Sequence, residues 1–248
     1  MEVHAPHHPL STWREFWIHL GTISVGLLIA LGMEQSAEWM HRVHERHALQ
    51  RELHDEGERN EATLKMDFER MAALKDSLVA WHHGVDDAIA KGGRLENPPN
   101  RSESTGTVAL PSAAMWDSAR ASGRVALLSD DQTAVYAFLY QQEDRLKAQE
   151  KDWTTASVEK QELERRFERS FENAGKDGAP DFSRMNVEDL KSYSAVLNRE
   201  IAEMDEMTAL LHYFDAVNRA VLDGARSEQG VVRRVDEERM DEGAVPVN

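Results

Sequence analysis

The chain opens on one long apolar stretch and then changes character. Residues 16–33 contain no Asp, Glu, Lys or Arg, and a bilayer-spanning helix needs about 20 predominantly apolar residues. With Thr12 and Trp13 before it and Gln35 to Trp39 after it, the stretch reaches that length. The pattern predicts a transmembrane anchor over 12–39. Trp13, Trp17 and Trp39 fall near its two ends, where amphipathic rings sit at the headgroup level, and are expected to be interfacial anchors. Two rival readings stand beside this one. A cleaved signal peptide could use Ala30-Leu31-Gly32 as its cleavage site, but Glu2 and Glu15 spoil the positive leader and the periodic pattern runs on through Trp39. A buried helix of a soluble domain would account for His19, Thr22 and Ser24 within the run.

Beyond the anchor, apolar residues recur with a helical period. Leu64, Met71, Leu74, Leu78, Trp81, Val85 and Ala88 follow one another at 3-and-4 spacing, the mark of a helix that buries one stripe. No proline interrupts residues 12–91, so the anchor is predicted to continue as a stalk helix over 40–91. Between Glu34 and Asn60 the stripe thins to Val43, Leu49 and Leu53, which reads as a solvated or partner-covered portion. Gly92, Gly93, Pro98, Pro99 and the small polar residues up to Gly106 predict a loop over 92–111.

Ser112 is expected to cap a short helix containing Met115, Trp116 and Ala119 and ending near Gly123. Ser129 and Gln132 form a capping-box pattern. It opens a second long helix carrying Val135, Phe138, Leu139, Leu146, Trp153, Val158, Leu163, Phe167 and Phe171, stopped by Gly175 to Pro180. Asn186 to Asp189 starts a third, whose stripe from Leu190 through Leu197, Met204, Leu211 and Phe214 to Val221 ends at Gly224. Residues 1–11 read as a flexible His-rich tail with Ser11 capping the first helix, and 226–248 as a disordered tail. The predicted fold is all-α. A single N-terminal transmembrane helix continues into an antiparallel, coiled-coil-like helical bundle that residues 112–225 complete.

Composition narrows the function. A 248-residue chain with 41% hydrophobic residues can build a core, while the absence of cysteine removes disulfides and thiolate metal sites. The net charge of −16 repels phosphate backbones, and no basic stripe with interleaved aromatics offsets it, so nucleic acid is not an expected partner. The expected partners are the lipid bilayer and a protein, or a second copy, met through the anchor and the bundle.

Chemistry-bearing patterns are sparse. His41, His44 and His47 lie three apart, and Glu38 with His41 has the Glu-x-x-His spacing of di-iron bundles, but no second copy of that motif follows. Successive histidines also rotate by about 60° around the helix, which hinders one tetrahedral ion. Interleaved with Arg42, Arg46 and Arg51, they equally suit lipid headgroups. His82 and His83 read as core-edge residues beside Trp81, and Asp86-Asp87 and Asp130-Asp131 as a solvated face and a helix start. Thr22, Gly26 and Ala30 form a line of small residues that would let a second membrane helix approach. Nucleotide-binding, nucleophile-elbow and zinc-protease motifs do not occur, so neither catalysis nor a cofactor is expected.

At Val25-Gly-Leu-Leu-Ile-Ala-Leu-Gly-Met-Glu-Gln35, and again from Trp116-Asp-Ser-Ala-Arg-Ala-Ser-Gly-Arg-Val-Ala-Leu-Leu-Ser-Asp-Asp-Gln132 to Val135-Tyr136, the chain resembles bacterial single-pass membrane proteins known only as domains of unknown function. The resemblance covers about half of the chain and rests on packing and capping signals. It implies the anchor-plus-bundle architecture and no catalytic role, although the His-rich tail departs from the basic tail of many relatives.

The leading expectation is a non-catalytic, membrane-anchored interaction or scaffold protein of the bacterial inner membrane, an accessory subunit of a larger complex. The alternative is a sensor or metal-binding module built on the juxtamembrane histidines. Arg42, Arg46 and Arg51 against Arg14 favour a cytoplasmic bundle by the positive-inside rule, and the signal-anchor arrangement favours the opposite side. The side of the membrane stays open at this point.

Overall fold

The computed structural model describes residues 13–93, 95, 108–167 and 181–241, the side chains of 239 and 241 excepted. The expected tail over 1–11, most of the loop over 92–111, the 175–180 stop and residues 242–248 lie outside the described residues. Among those described, the fold is all-helical, with no strand. Its elements are α1 (Trp13–Ala90), α2 (Ala114–Ala121), a 3-10 turn (Arg124–Leu127), α3 (Asp130–Arg165), a second 3-10 turn (Phe182–Arg184), α4 (Val187–Leu222) and α5 (Glu228–Asp241). The chain divides into two compact units, Met1–Arg51 and Glu52–Asn248, with α1 contributing to both.

In the first unit, every described residue up to Arg42 is exposed. This includes the whole uncharged stretch, with Ile23, Leu28 and Met33 each about two-thirds exposed or more. Helix α1 therefore holds a segment long and apolar enough to cross a membrane, and none of that segment is buried against protein.

The second unit is held together along seams of buried residues at 3-and-4 spacing. On α1 these are Leu53, Glu56, Asn60, Leu64, Asp67, Met71, Leu74, Leu78, Trp81, Val85 and Ala88. The stripe that looks thin before Asn60 continues instead, because Glu56 and Asn60 occupy seam positions that an apolar pattern does not register. On α3 the seam runs Val135, Leu139, Gln142, Leu146, Gln149, Trp153, Ala156 and Lys160. On α4 it runs Leu190, Tyr193, Leu197, Glu200, Met204, Met207, Leu211 and Phe214.

Paired contacts join these seams. Gly57 accepts a hydrogen bond from Asn218 at 2.9 Å, Phe68 stacks on His212 with centroids 4.0 Å apart, Lys75 meets Asp205 at 2.6 Å, and Trp81 donates to Tyr193 at 2.9 Å. Between α3 and α4, Gln149 donates to Glu203 at 2.9 Å, Glu159 pairs with Arg199 at 2.8 Å and the buried Lys160 pairs with Glu200 at 2.7 Å.

The helix starts follow local sequence. Ser129 accepts from the Gln132 N–H while the Gln132 side chain accepts from the Ser129 N–H, and Asn186 and Asp189 make the same reciprocal pair, each satisfying two otherwise orphaned donors. Helix α3 ends at Arg165, so Phe167 falls just past it and is half-buried, and Phe171 is outside the described residues. Gly123 and Gly224 take left-handed φ values of 75° and 79° past the ends of α2 and α4, a conformation that costs glycine little.

The C-terminal tail read as disordered departs most from expectation. Residues Glu228–Asp241 form α5, whose Val231 and Val235 are buried. Arg219 of α4 pairs with both Asp215 and Glu238, and Arg234 donates to the Ala220 carbonyl at 3.1 Å. Two valines one turn apart and a shared arginine suffice to dock a helix that is otherwise charged.

At Gly57, α1 comes close to α4. A methyl group there would lie 3.0 Å from Leu222 Cδ2 and 3.1 Å from Asn218 Oδ1. Gly57→Val is expected to destabilise the fold by roughly 1–3 kcal/mol through overpacking, seen as a lower melting temperature of the helical circular dichroism signal in detergent. Gly84→Ala, whose methyl would meet only Trp81 at 3.9 Å, is expected to be neutral or to stabilise by up to about 1 kcal/mol. Equal melting of Gly57→Val and wild type would remove the close-approach argument.

Candidate functional site

Helix geometry places the sequence-derived candidates of the first unit on a continuous exposed surface. Thr22, Gly26 and Ala30 succeed one another at four-residue spacing and share a face, all exposed. A Cβ at Gly26 would meet nothing within 4 Å, and the Thr22 hydroxyl donates back to the Ile18 carbonyl at 2.9 Å, as helix-interior threonines do. His19 precedes Thr22 by three residues and joins the same face. Trp13 and Trp17 form an aromatic cluster with Phe16, with centroids 5.4–5.7 Å apart. Trp39 lies at the far end of the stretch, 63% exposed.

The histidines do not converge. His41 faces Glu45 at 3.1 Å, while Glu38 lies 3.9 Å from Arg42. Among the described residues, no three His, Asp or Glu side chains are arranged to hold a metal ion, so His41, His44 and His47 stay separate side chains on an exposed helix. His82 sits at a core edge, as its position beside Trp81 suggests, within 3.1 Å of the Ser194 hydroxyl and 3.4 Å of Asp86.

The second unit contains a polar centre that the sequence pattern does not reveal. Glu56 is 1% exposed, and its carboxylate accepts from the Ser112 hydroxyl at 2.8 Å, the Met115 N–H at 3.1 Å and the Tyr140 hydroxyl at 2.8 Å. One turn on, the Asn60 amide accepts from the Ser112 N–H at 2.7 Å and donates to the Ser112 carbonyl at 2.9 Å. One turn back, Glu52 pairs with Arg124 at 2.9 Å. Three residues on one face of α1 thus grip the segment around α2. The N-cap of α2 is Ala113, which supplies no side-chain cap, rather than the expected Ser112. Ser112, one residue earlier, reaches the Ala114 N–H at 3.2 Å while Glu56 from α1 takes the next donor, and a negative charge at a helix N-terminus is favourable.

A second relay closes the other end of the seams. Trp81 donates to Tyr193, and Tyr193 donates to Glu164 at 2.6 Å, which links α1, α4 and α3. Burial, and then the neighbouring carboxylates Glu56 and Glu164, push the Tyr140 and Tyr193 phenols well above their ordinary range. The sequence signal for both relays is faint: a polar residue standing at a seam position, with its partner many residues away.

Beside Glu56 a groove of about 650 Å3 runs between α2, the first 3-10 turn and α3, and Glu228 also lines it. Trp116 and Tyr140, stacked 5.6 Å apart at 10°, form part of its wall. Lys147 lies within it, 2.7 Å from Glu143, and that hydrogen bond, reinforced by Asp144 and Asp117, holds its ammonium pKa above the usual lysine value.

The raised phenol pKa values fix the sign of an alkaline response. A group whose folded pKa exceeds its unfolded value of 10.0 contributes stability below that value, and the contribution fades as pH rises above it. In strong alkali, Tyr140 and Tyr193 are therefore expected to ionise together with loss of helix, in ultraviolet absorbance and circular dichroism followed side by side. Ionisation of every tyrosine near pH 10.0 with the helices intact would contradict this. Tyr193→Phe strands the Trp81 N–H and a Glu164 oxygen, with an expected cost of about 1–3 kcal/mol.

No protein-family model, no curated protein and no solved structure matches this chain.

Proposed function

We propose that this is a non-catalytic, single-pass membrane protein of a bacterial inner membrane, related to the uncharacterised single-pass proteins it resembles. Its second unit is an antiparallel, coiled-coil-like bundle that serves as an interaction or scaffold domain. The observation that carries the reading is the uncharged, wholly exposed face of α1 over 16–33. An apolar surface of that extent exposed to water marks an interaction site, and the tryptophans frame it at membrane spacing. Trp17 and Trp39 are separated by about 33 Å along a helix, against about 30 Å of hydrocarbon. A core helix of a soluble domain would be covered, and this segment is not.

The bundle reading rests on the paired contacts. Residue numbers rise along α1 from Gly57 to Trp81 while their partners on α4 fall from Asn218 to Tyr193, and the 3-and-4 spacing of the seams suits left-handed supercoiling. Many of its buried polar groups, Glu56, Asn60, Lys160, Tyr193 and Asn218 among them, bond between elements, which supports a structural rather than a chemical role for them. The line of Thr22, Gly26 and Ala30, with His19 on the same face, supports assembly through the anchor. Contacts between membrane helices depend on close fit, and polar side chains at depth face protein.

Gentle detergent extraction is expected to release an assembly larger than one chain. Gly26→Ile should leave the protein in the membrane fraction, since it adds apolar surface, yet shift it to the monomer in native gels. Leu27→Ala, on another face, should leave the assembly intact. A strictly monomeric wild-type chain, both in detergent and after cross-linking in native membranes, would overturn the scaffold reading.

A further inference from the structure

Resting on that reading, we infer that the groove between α2 and α3 is the docking slot for a basic segment of a partner protein. Its length and its charge both point there. The α3 residues that line it run from Thr133 to Lys147, about 21 Å along a helix axis. A volume of 650 Å3 drawn out over that length makes a narrow slot, shaped for a run of peptide. Ala134 and Ala137 on α3 are small and exposed, which lets an incoming backbone come close.

Four carboxylates line the slot, from Asp117 on α2, Glu143 and Asp144 on α3 and Glu228 on α5, against the cations Arg120 and Lys147. Lys147 is engaged by Glu143, so the slot already seats one ammonium group beside a carboxylate. Against Arg120, the carboxylates of Asp117, Asp144 and Glu228 leave an excess of negative charge in the slot. A lysine or arginine complements it, since its charge meets the carboxylates while its apolar stem lies over the exposed Ala134 and Ala137. Electrostatic complementarity of this kind sets partner choice and association rate. The polar centre at Glu56 explains why the slot is preformed: the same carboxylate that caps α2 also holds Tyr140.

Photo-crosslinking in cells, with the full chain in its membrane, tests this. Benzoylphenylalanine replacing Ala137 is expected to capture a peptide of another protein that contains lysine or arginine, and the same group at the exposed Met66 is not. Combining it with Asp117→Lys and Asp144→Lys should lower capture more than about tenfold, since like charges placed together cost several kcal/mol and 1.4 kcal/mol is tenfold. The melting temperature of that variant is checked alongside. If it fails to fold, the neutral pair Asp117→Asn and Asp144→Asn takes its place, with a smaller loss expected. Capture of lipid only, of a second copy of this chain, or of a segment without basic residues would overturn the inference, as would equal capture from Ala137 and Met66. A large assembly that persists without any capture at Ala137 defeats the slot and leaves the scaffold reading standing. A chain monomeric throughout defeats both.

Discussion

A carboxylate that is 1% exposed must find its hydrogen bonds inside the protein, and Glu56 finds them on two different elements. Removing a charged group from water costs several kcal/mol unless donors replace the lost solvent. Here three donors do so: a serine hydroxyl, a backbone N–H at the start of α2 and a tyrosine hydroxyl on α3. None of them comes from α1 itself. The burial of Glu56 therefore obliges α2 and α3 to be where they are, and Asn60 and Glu52 extend the same obligation a turn in either direction. The groove exists because α2 is held against α3 in this way.

Polar residues inside an otherwise apolar seam also select register. A leucine seam tolerates a slip of one turn better than a seam in which Lys160 must meet Glu200, Tyr193 must reach Glu164 and Asn218 must reach the Gly57 carbonyl. Each slip would strand a buried donor or acceptor, which costs more than the paired interaction contributes. Comparable buried polar residues fix the alignment of coiled coils. Fixed alignment makes the surface these helices present repeatable from one copy to the next.

What the sequence makes legible is what is local. The capping boxes at Ser129 and Asn186 are short patterns whose donors and acceptors lie within three residues, and the apolar stripes of α3 and α4 need only their own period. The exposed apolar stretch of α1 is a matter of composition. Glu56, by contrast, is defined by a tyrosine 84 residues away, and in a scan for apolar periodicity a glutamate at a seam position reads as a gap. Helix α5 was illegible for a related reason. Its two buried valines sit among charges whose pairing with Arg219 depends on α4 being in place. The groove depends on three elements at once, so no single stretch of sequence announces it.

The grip of Asn60 on Ser112 has a consequence for the connection that leads to it. Ser112 is held beside Asn60, while the preceding helix runs on to Ala90, thirty residues further along α1, or about 45 Å at 1.5 Å per residue. The two ends of the connection therefore lie about that far apart along α1. Even a fully extended chain covers only about 3.3–3.6 Å per residue, so the return needs at least about 13 residues whatever their identity. The number of residues between Gly93 and Ser112 has a floor but no comparable ceiling, because doubling a loop costs only about 0.6 kcal/mol. Insertions between the buried Leu95 and Pro111 are therefore expected to be tolerated. Shortening it beyond that floor would pull Ser112 from Asn60 and leave Glu56 buried without its donors.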